Sequence, residues 1–264
     1  PVMGKTLMIG SCEPFSGKSA LVLGIARKLK SLNIGVRFGK PLATSLELES
    51  ITPNSSSPLI DDDVRFIGSI IGLQEDQLIP SVDQLAPDTA EKRLFESCLD
   101  PGDGFQILKD KLDDSFEGVN ILEAAGTIHE GILYGLSLEQ LANDFDAKVL
   151  LVHLWKDGRS VESLLSAKQQ LGERLLGIVL NAVTPDEVKE LKENIVPALK
   201  ELELDVFGVM PRSPLLRSVT VDELVRRLQA RVICCSERLE LMVETLSIGA
   251  MNVNSAMEFF RKRR

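Results

Sequence analysis

Apolar and polar positions follow two rhythms along this chain, and the rhythm changes at short, regular intervals. An apolar run at 6–9 ends in a loop of small residues, after which Ala20, Leu21, Leu23, Ile25, Ala26 and Leu29 recur at helical spacing. Short runs at 35–41, 119–126, 147–154, 175–180 and 206–211 read as strands. The first is stopped by Pro41, which forces Lys40 into an extended conformation. Helical spacing occupies 64–71, 105–112, 137–145, 160–171 and 185–202, the last with Pro185 at its start. The stretch 44–58 is polar, rich in Ser and Pro and aperiodic, and 73–104 is mostly polar with short helical patches, 89–99 among them. Strands that alternate with helices predict βα units, right-handed crossovers and a mostly parallel sheet, hence a three-layer α/β fold.

Length changes this picture at one end. With 264 residues and 44% hydrophobic content the chain can bury one large core with a smaller appendage. Residues 1–212 form the expected main domain, 213–219 with Pro214 a linker, and 220–264 a small, incomplete C-terminal α/β segment. That segment offers a helix at 221–228, a strand-like 231–234 and the start of a helix at 255–260 running into Arg261, Lys262, Arg263 and Arg264. These elements are too few to close a core. They pack on the main domain, await the rest of a domain, or pair with a second copy across a two-fold axis; the expectation is a homodimer with the basic end left in water.

Charge removes several function classes. Thirty basic against 39 acidic residues give a net charge of −9, which argues against nucleic acid or an anionic membrane as the main partner. No run approaches the ~20 apolar residues of a membrane span, and Gly10, Glu13 and Lys18 interrupt any secretory pattern, so the expected location is the cytoplasm. Cys12, Cys98, Cys234 and Cys235 form no Cys-x-x-Cys pair, and His129 and His153 stand alone, which predicts reduced thiols and no zinc site.

The candidate chemistry lies in the first loop. Residues 12–19 run Cys12, Glu13, Pro14, Phe15, Ser16, Gly17, Lys18, Ser19 between a strand and an amphipathic helix. Such a loop cradles phosphates: backbone N–H groups and the helix N-terminus supply partial positive charge, Lys18 reaches the outer phosphates and Ser19 can ligate Mg²⁺. The usual pattern has glycine where this chain has Cys12. The same field is expected to favour the Cys12 thiolate. Three further positions bear on the loop. Lys40 ends a strand; Asp61, Asp62 and Asp63 open a helix, where they serve as caps or as Mg²⁺ ligands; Glu123 ends a buried strand and arrives at the carboxyl edge, where open α/β sheets bind ligands.

Together, 12–19, 39–41, 61–63, 123–126, 177–181 and 208–211 resemble the dethiobiotin synthetase-like P-loop proteins. The likeness is greatest to the N-terminal domain of multidomain phosphate acetyltransferases, in which a DRTGG domain follows. Residues 246–251 resemble the opening of that domain, although its signature is absent. The resemblance implies a P-loop NTPase-like fold that binds ATP with Mg²⁺. By it, Lys18 and Lys40 are the candidate catalytic residues. Cys12, Glu13, Ser16, Gly17, Lys18, Ser19, Asn181 and Pro211 hold the nucleotide, Asn181 at the base, and Ser19, Asp63 (or Asp61) and Glu123 hold the metal. The family's Glu-Gly-Ala-Gly is Glu-Ala-Ala-Gly here, and Ala124 narrows the room beside the acid. The expected function is therefore a regulatory ATP-binding module with slow or no hydrolysis and a metabolic enzyme as candidate partner. The alternatives are an ATP-dependent ligase of the dethiobiotin or cobyrinic acid synthetase type and a structural domain with a degenerate site.

Overall fold

Strand β1 (Lys5–Ser11) runs through the middle of a seven-stranded sheet in which every recorded pairing is parallel. The computed structural model describes residues 5–14, 16–46, 58–112 and 115–211. In chain order these form β1, α1 (Lys18–Ser31), β2 (Val36–Gly39), β3 (Leu42–Ala43), α2 (Asp62–Ile71), β4 (Leu78–Ile79), β5 (Asp83–Gln84), α3 (Pro87–Glu96) and α4 (Gly104–Leu112). There follow β6 (Val119–Glu123), α5 (Leu138–Asp144), β7 (Lys148–Leu154), α6 (Val161–Leu171), β8 (Leu175–Val183), α7 (Val188–Glu190), α8 (Val196–Glu201) and β9 (Val206–Pro211). The sheet order is β4-β2-β6-β1-β7-β8-β9.

Parallel strands covered on both faces must be apolar on both, and alternate residues then feed different layers. Leu7 and Ile9 of β1 join Leu21, Ile25 and Leu29 of α1 and Val64 and Ile67 of α2 on one side. Met8 joins Leu138 and Leu141 of α5, Leu164 of α6 and Leu108 of α4 on the other. Each such side chain contributes about 1.5–3 kcal/mol by leaving water, so the two faces lock the register. The expected three-layer α/β P-loop fold is the one observed.

Helix boundaries follow local chemistry. Ser137 caps α5 and shares a capping box with Gln140, whose backbone N–H donates to Ser137 Oγ at 3.3 Å. Between α7 and α8 the chain winds as a π turn, Leu191–Ile195, just before Pro197. Proline lacks the N–H that an α-turn requires, and a wider turn accommodates the gap.

Some elements differ from the sequence reading. The polar stretch after Leu73 contains the edge strand β4 and, with β3, the two-residue pair β5, because strands this short carry no readable period. Helix α3 begins before residue 89 and ends at Glu96, where Ser97 turns left-handed at φ 50°. Its polarity is inverted: Arg93 is its buried side chain, whereas Leu94 and Phe95 are 64% and 81% exposed. The proposed linker 213–219 and segment 220–264 lie outside the described residues. Among the described residues no helix is long and apolar enough to cross a membrane.

Candidate nucleotide site

Because the sheet is parallel, every strand delivers its last residue to one edge. Lys40 follows β2, Glu123 ends β6, the loop after Ser11 leaves β1, Asn181 lies near the end of β8 and Pro211 closes β9. Pairing of Ile9 with Glu123 and of Gly39 with Leu122 brings the first three side by side.

The loop is held by its own side chains. Ser16 Oγ donates to the Glu13 carbonyl at 2.6 Å, and Ser11 Oγ lies 2.6 Å from the same oxygen and 2.9 Å from the Gly126 carbonyl. Gly17, at φ 96°, turns the chain into α1 in a left-handed conformation that L side chains rarely adopt. No side chain caps the first turn of α1, so its N–H groups face the loop, ready for an anion. Lys18 is buried, and its ammonium donates to the Gly126 carbonyl at 2.8 Å and to Ser11 Oγ at 3.2 Å.

Glu123 is 3% exposed and stands between two lysines. Its Oε1 accepts from Ser19 Oγ at 3.5 Å, whereas Oε2 is buried with no hydrogen-bond partner. Burial pushes the carboxyl above its ordinary range, and the Lys40 and Lys18 cations pull it back. Lys18 is held below its ordinary value chiefly by burial, against the attraction of Glu123. Burial acts on Lys40 in the same direction, but Glu123, Asp61 and Asp63 together overcome it and raise the ammonium.

The acid run at 61–63 resolves into distinct tasks. Asp61 caps α2: Oδ1 accepts from the Asp63 N–H at 2.8 Å, and Oδ2 accepts from the N–H groups of Thr44 at 2.8 Å and Ser45 at 3.1 Å. Asp62 Oδ2 accepts from Ser45 Oγ at 3.0 Å. Asp63 pairs with Lys40 at 3.2 Å, and Lys40 also donates to Thr44 Oγ1. Among the described residues no group of three or more His, Cys, Asp or Glu side chains could hold a metal. The Ser19 hydroxyl and the unpartnered oxygen of Glu123 nevertheless fit Mg²⁺, which takes one or two protein oxygens and completes its shell with phosphate and water.

Cys12 departs from expectation. Its side chain packs against the α5–α6 layer, and Sγ donates to the Ser163 carbonyl at 3.7 Å. Burial, reinforced by the Glu13 carboxylate, pushes the thiol up to about 11, so it is a thiol and not the expected thiolate. Asn181 Nδ2 donates to the Ser16 carbonyl at 2.7 Å, which ties β8 to the loop. The sequence reading missed Ser11 and Glu130. Glu130 Oε2 accepts from the Thr127 N–H at 3.0 Å and lies where a Cβ on Gly126 would fall, and its charge helps hold Lys18 protonated. The signal was present: Thr127 and Glu130 have the spacing of a capping box.

Chloroplast FtsY from Physcomitrella patens superposes with a TM-score of 0.50 at 15% identity, over 79% of this chain and 59% of that one. MinD from Aquifex aeolicus gives 0.47 at 15%, over 92% and 95%. A phosphate acetyltransferase of Deinococcus radiodurans is 26% identical over 273 residues, covering 97% of this chain. The chain spans only 36% of that relative's length. The AAA_26 family, described as an AAA domain, matches residues 5–220, and this chain belongs to that family.

Proposed function

We propose that the chain binds ATP with Mg²⁺ at the carboxyl edge of its sheet and acts as a regulatory module of the kind found in phosphate acetyltransferases. The observation that carries this reading is Glu123: a buried carboxylate with one oxygen unpartnered, flanked by Lys18 and Lys40 and touching the Ser19 hydroxyl. A buried carboxylate oxygen is costly without a direct partner. Mg²⁺ held by Ser19 and Glu123 would supply one, with Asp63 acting on it through Lys40 or water. In this reading the first-turn N–H groups and Lys18 take the phosphates, which draws the Lys18 ammonium away from Gly126 and Ser11. Cys12, Glu13, Ser16 and Gly17 shape the loop wall, while Asn181 and Pro211 stand at the base end.

Slow turnover is part of the same proposal. In this reading Lys40 is already engaged by Asp63, Asp61 and Thr44, and Ala124 takes the place that glycine holds beside the acid in the resembled family. The acetyl-transfer activity named for the relative belongs to a protein of which this chain matches about a third. A DRTGG-like character of 246–251, a cytoplasmic setting and a metabolic-enzyme partner remain parts of this proposal.

Calorimetric titration of the chain with Mg·ATP, followed by assay for ADP with and without 7,8-diaminopelargonate and bicarbonate, tests it. Binding with little ADP in either case is the expected result. ADP release that depends on the diamine would replace the module with a ligase, and absence of binding would leave a structural domain.

A further inference from the structure

We propose that α3 and the turn that follows it form a docking ledge for the chain's own segment 256–264. Of its apolar side chains the helix packs Ala90 alone against the core. It is fastened by Arg93, whose guanidinium donates to Asp83 Oδ2 at 2.9 Å, to the carbonyls of Asp100 and Pro101, and lies 5.0 Å from the Tyr134 ring centre. That arrangement leaves Leu94, Phe95 and Leu99 facing outward, 64%, 81% and 64% exposed, within six consecutive positions. Ile132, 52% exposed, stands on the Ile132–Tyr134 turn whose Tyr134 contacts α3. Large apolar side chains grouped in this way are a contact surface awaiting a cover.

Charge selects the occupant. Asp88, Glu91, Glu96, Asp100 and Asp103 are exposed along the ledge against Lys92 alone, since the charge of Arg93 is matched by Asp83. The segment 256–264 offers the complement in both respects: Ala256, Met257, Phe259 and Phe260 are followed by Arg261, Lys262, Arg263 and Arg264, with Glu258 its one acid. Two acidic ledges facing each other would repel, which disfavours ledge-to-ledge pairing of two copies. Reach is sufficient. Strand β9 ends at the edge of the sheet opposite β4, roughly 29 Å away at about 4.8 Å per strand. Asp83, to which Arg93 ties α3, belongs to β5, which pairs with β3 close after β2. The stretch 212–255, at up to about 3.4 Å per residue, covers that span several times over.

Hydrogen exchange followed by mass spectrometry on the full chain tests the docking. Peptides covering 256–264 are expected to be protected and to exchange about ten- to a hundredfold faster in a Leu94→Ser/Phe95→Ser variant, because two buried anchors are lost. These side chains are already in water, so the variant keeps the fold. In the converse variant, Phe259→Ser/Phe260→Ser, α3 is expected to exchange faster by a similar factor. Carbodiimide coupling of Lys262 to Glu91, Glu96 or Asp100 is expected in the monomer at a yield that does not change on dilution. A segment unprotected in the parent, protection unchanged in both variants, or a coupling yield that rises with concentration and so assigns the ledge to a second copy would each overturn the proposal.

Discussion

Asn181 donates from Nδ2 to the carbonyl oxygen of Ser16 at 2.7 Å, and Gly17 sits so close beneath the amide that a Cβ there would come within 2.2 Å of it. Strand β8 therefore braces the loop after β1 across the intervening β7, and the brace requires glycine for space as well as for its φ of 96°. Gly17→Ala is expected to cost about 1–3 kcal/mol from backbone strain alone, with a further loss from the displaced amide. Asn181→Ala relieves the clash, so the double variant should be less destabilised than the sum of the two by about 0.5–3 kcal/mol. Urea denaturation of the four proteins checks this; strict additivity would show that the amide does not brace the loop.

Lys18→Ala is expected to weaken Mg·ATP binding about ten- to a hundredfold, the worth of a charge-assisted hydrogen bond of roughly 1.5–3 kcal/mol. Calorimetry measures it directly. Equal affinity in the two proteins would place the phosphates elsewhere.

Glu123→Gln keeps the shape of the side chain and removes the hard anionic oxygen left without a partner. The expected result is an intact fold whose nucleotide binding responds less to Mg²⁺ than the parent's does. Titrations with and without the metal that change in equal proportion for both proteins would make Glu123 a structural acid.

Cys12 should resist alkylation at neutral pH. With the thiol raised to about 11, the thiolate fraction at pH 8 is about one in a thousand, and reactivity rises tenfold per pH unit until that value is passed. Iodoacetamide labelling resolved by peptide mass spectrometry reports the rate at each pH. A rate that levels off near pH 8 would return Cys12 to the electropositive loop.

The parts of the site written in short sequence windows were legible: the Gly17, Lys18, Ser19 step into a helix, and the acid or lysine at a strand tip, as in Glu123 and Lys40. What the side chains do at long range was not. The run 61–63 reads alike as caps or ligands in the sequence, and only the fold separates Asp61, which caps α2 and accepts from Thr44 and Ser45, from Asp63, which pairs with Lys40. Cys12 belongs to the loop in sequence but packs on α6 in space, so burial outweighs the field of the loop. Helix α3 was visible as a periodic patch, yet its inverted polarity depends on Asp83, the 100–101 carbonyls and Tyr134, none of them within one helical turn of Arg93. The two-residue strands β4 and β5 take their conformation from the partners they pair with, which no local pattern records.

The central position of β1 also sets when the site can exist. The loop and Lys18 leave the ribosome 108 residues ahead of Gly126, which the Lys18 ammonium touches, and Ser19 and Glu123 are 104 residues apart. A nascent chain that has emerged only through α2 holds the phosphate loop without the carboxylate beside it. On the proposed reading of the site, magnesium-dependent nucleotide capture would wait for β6, which lies between β2 and β1 in the sheet, to pair. Arrested chains of increasing length should gain Mg²⁺-dependent ATP binding only once β6 is free to pair.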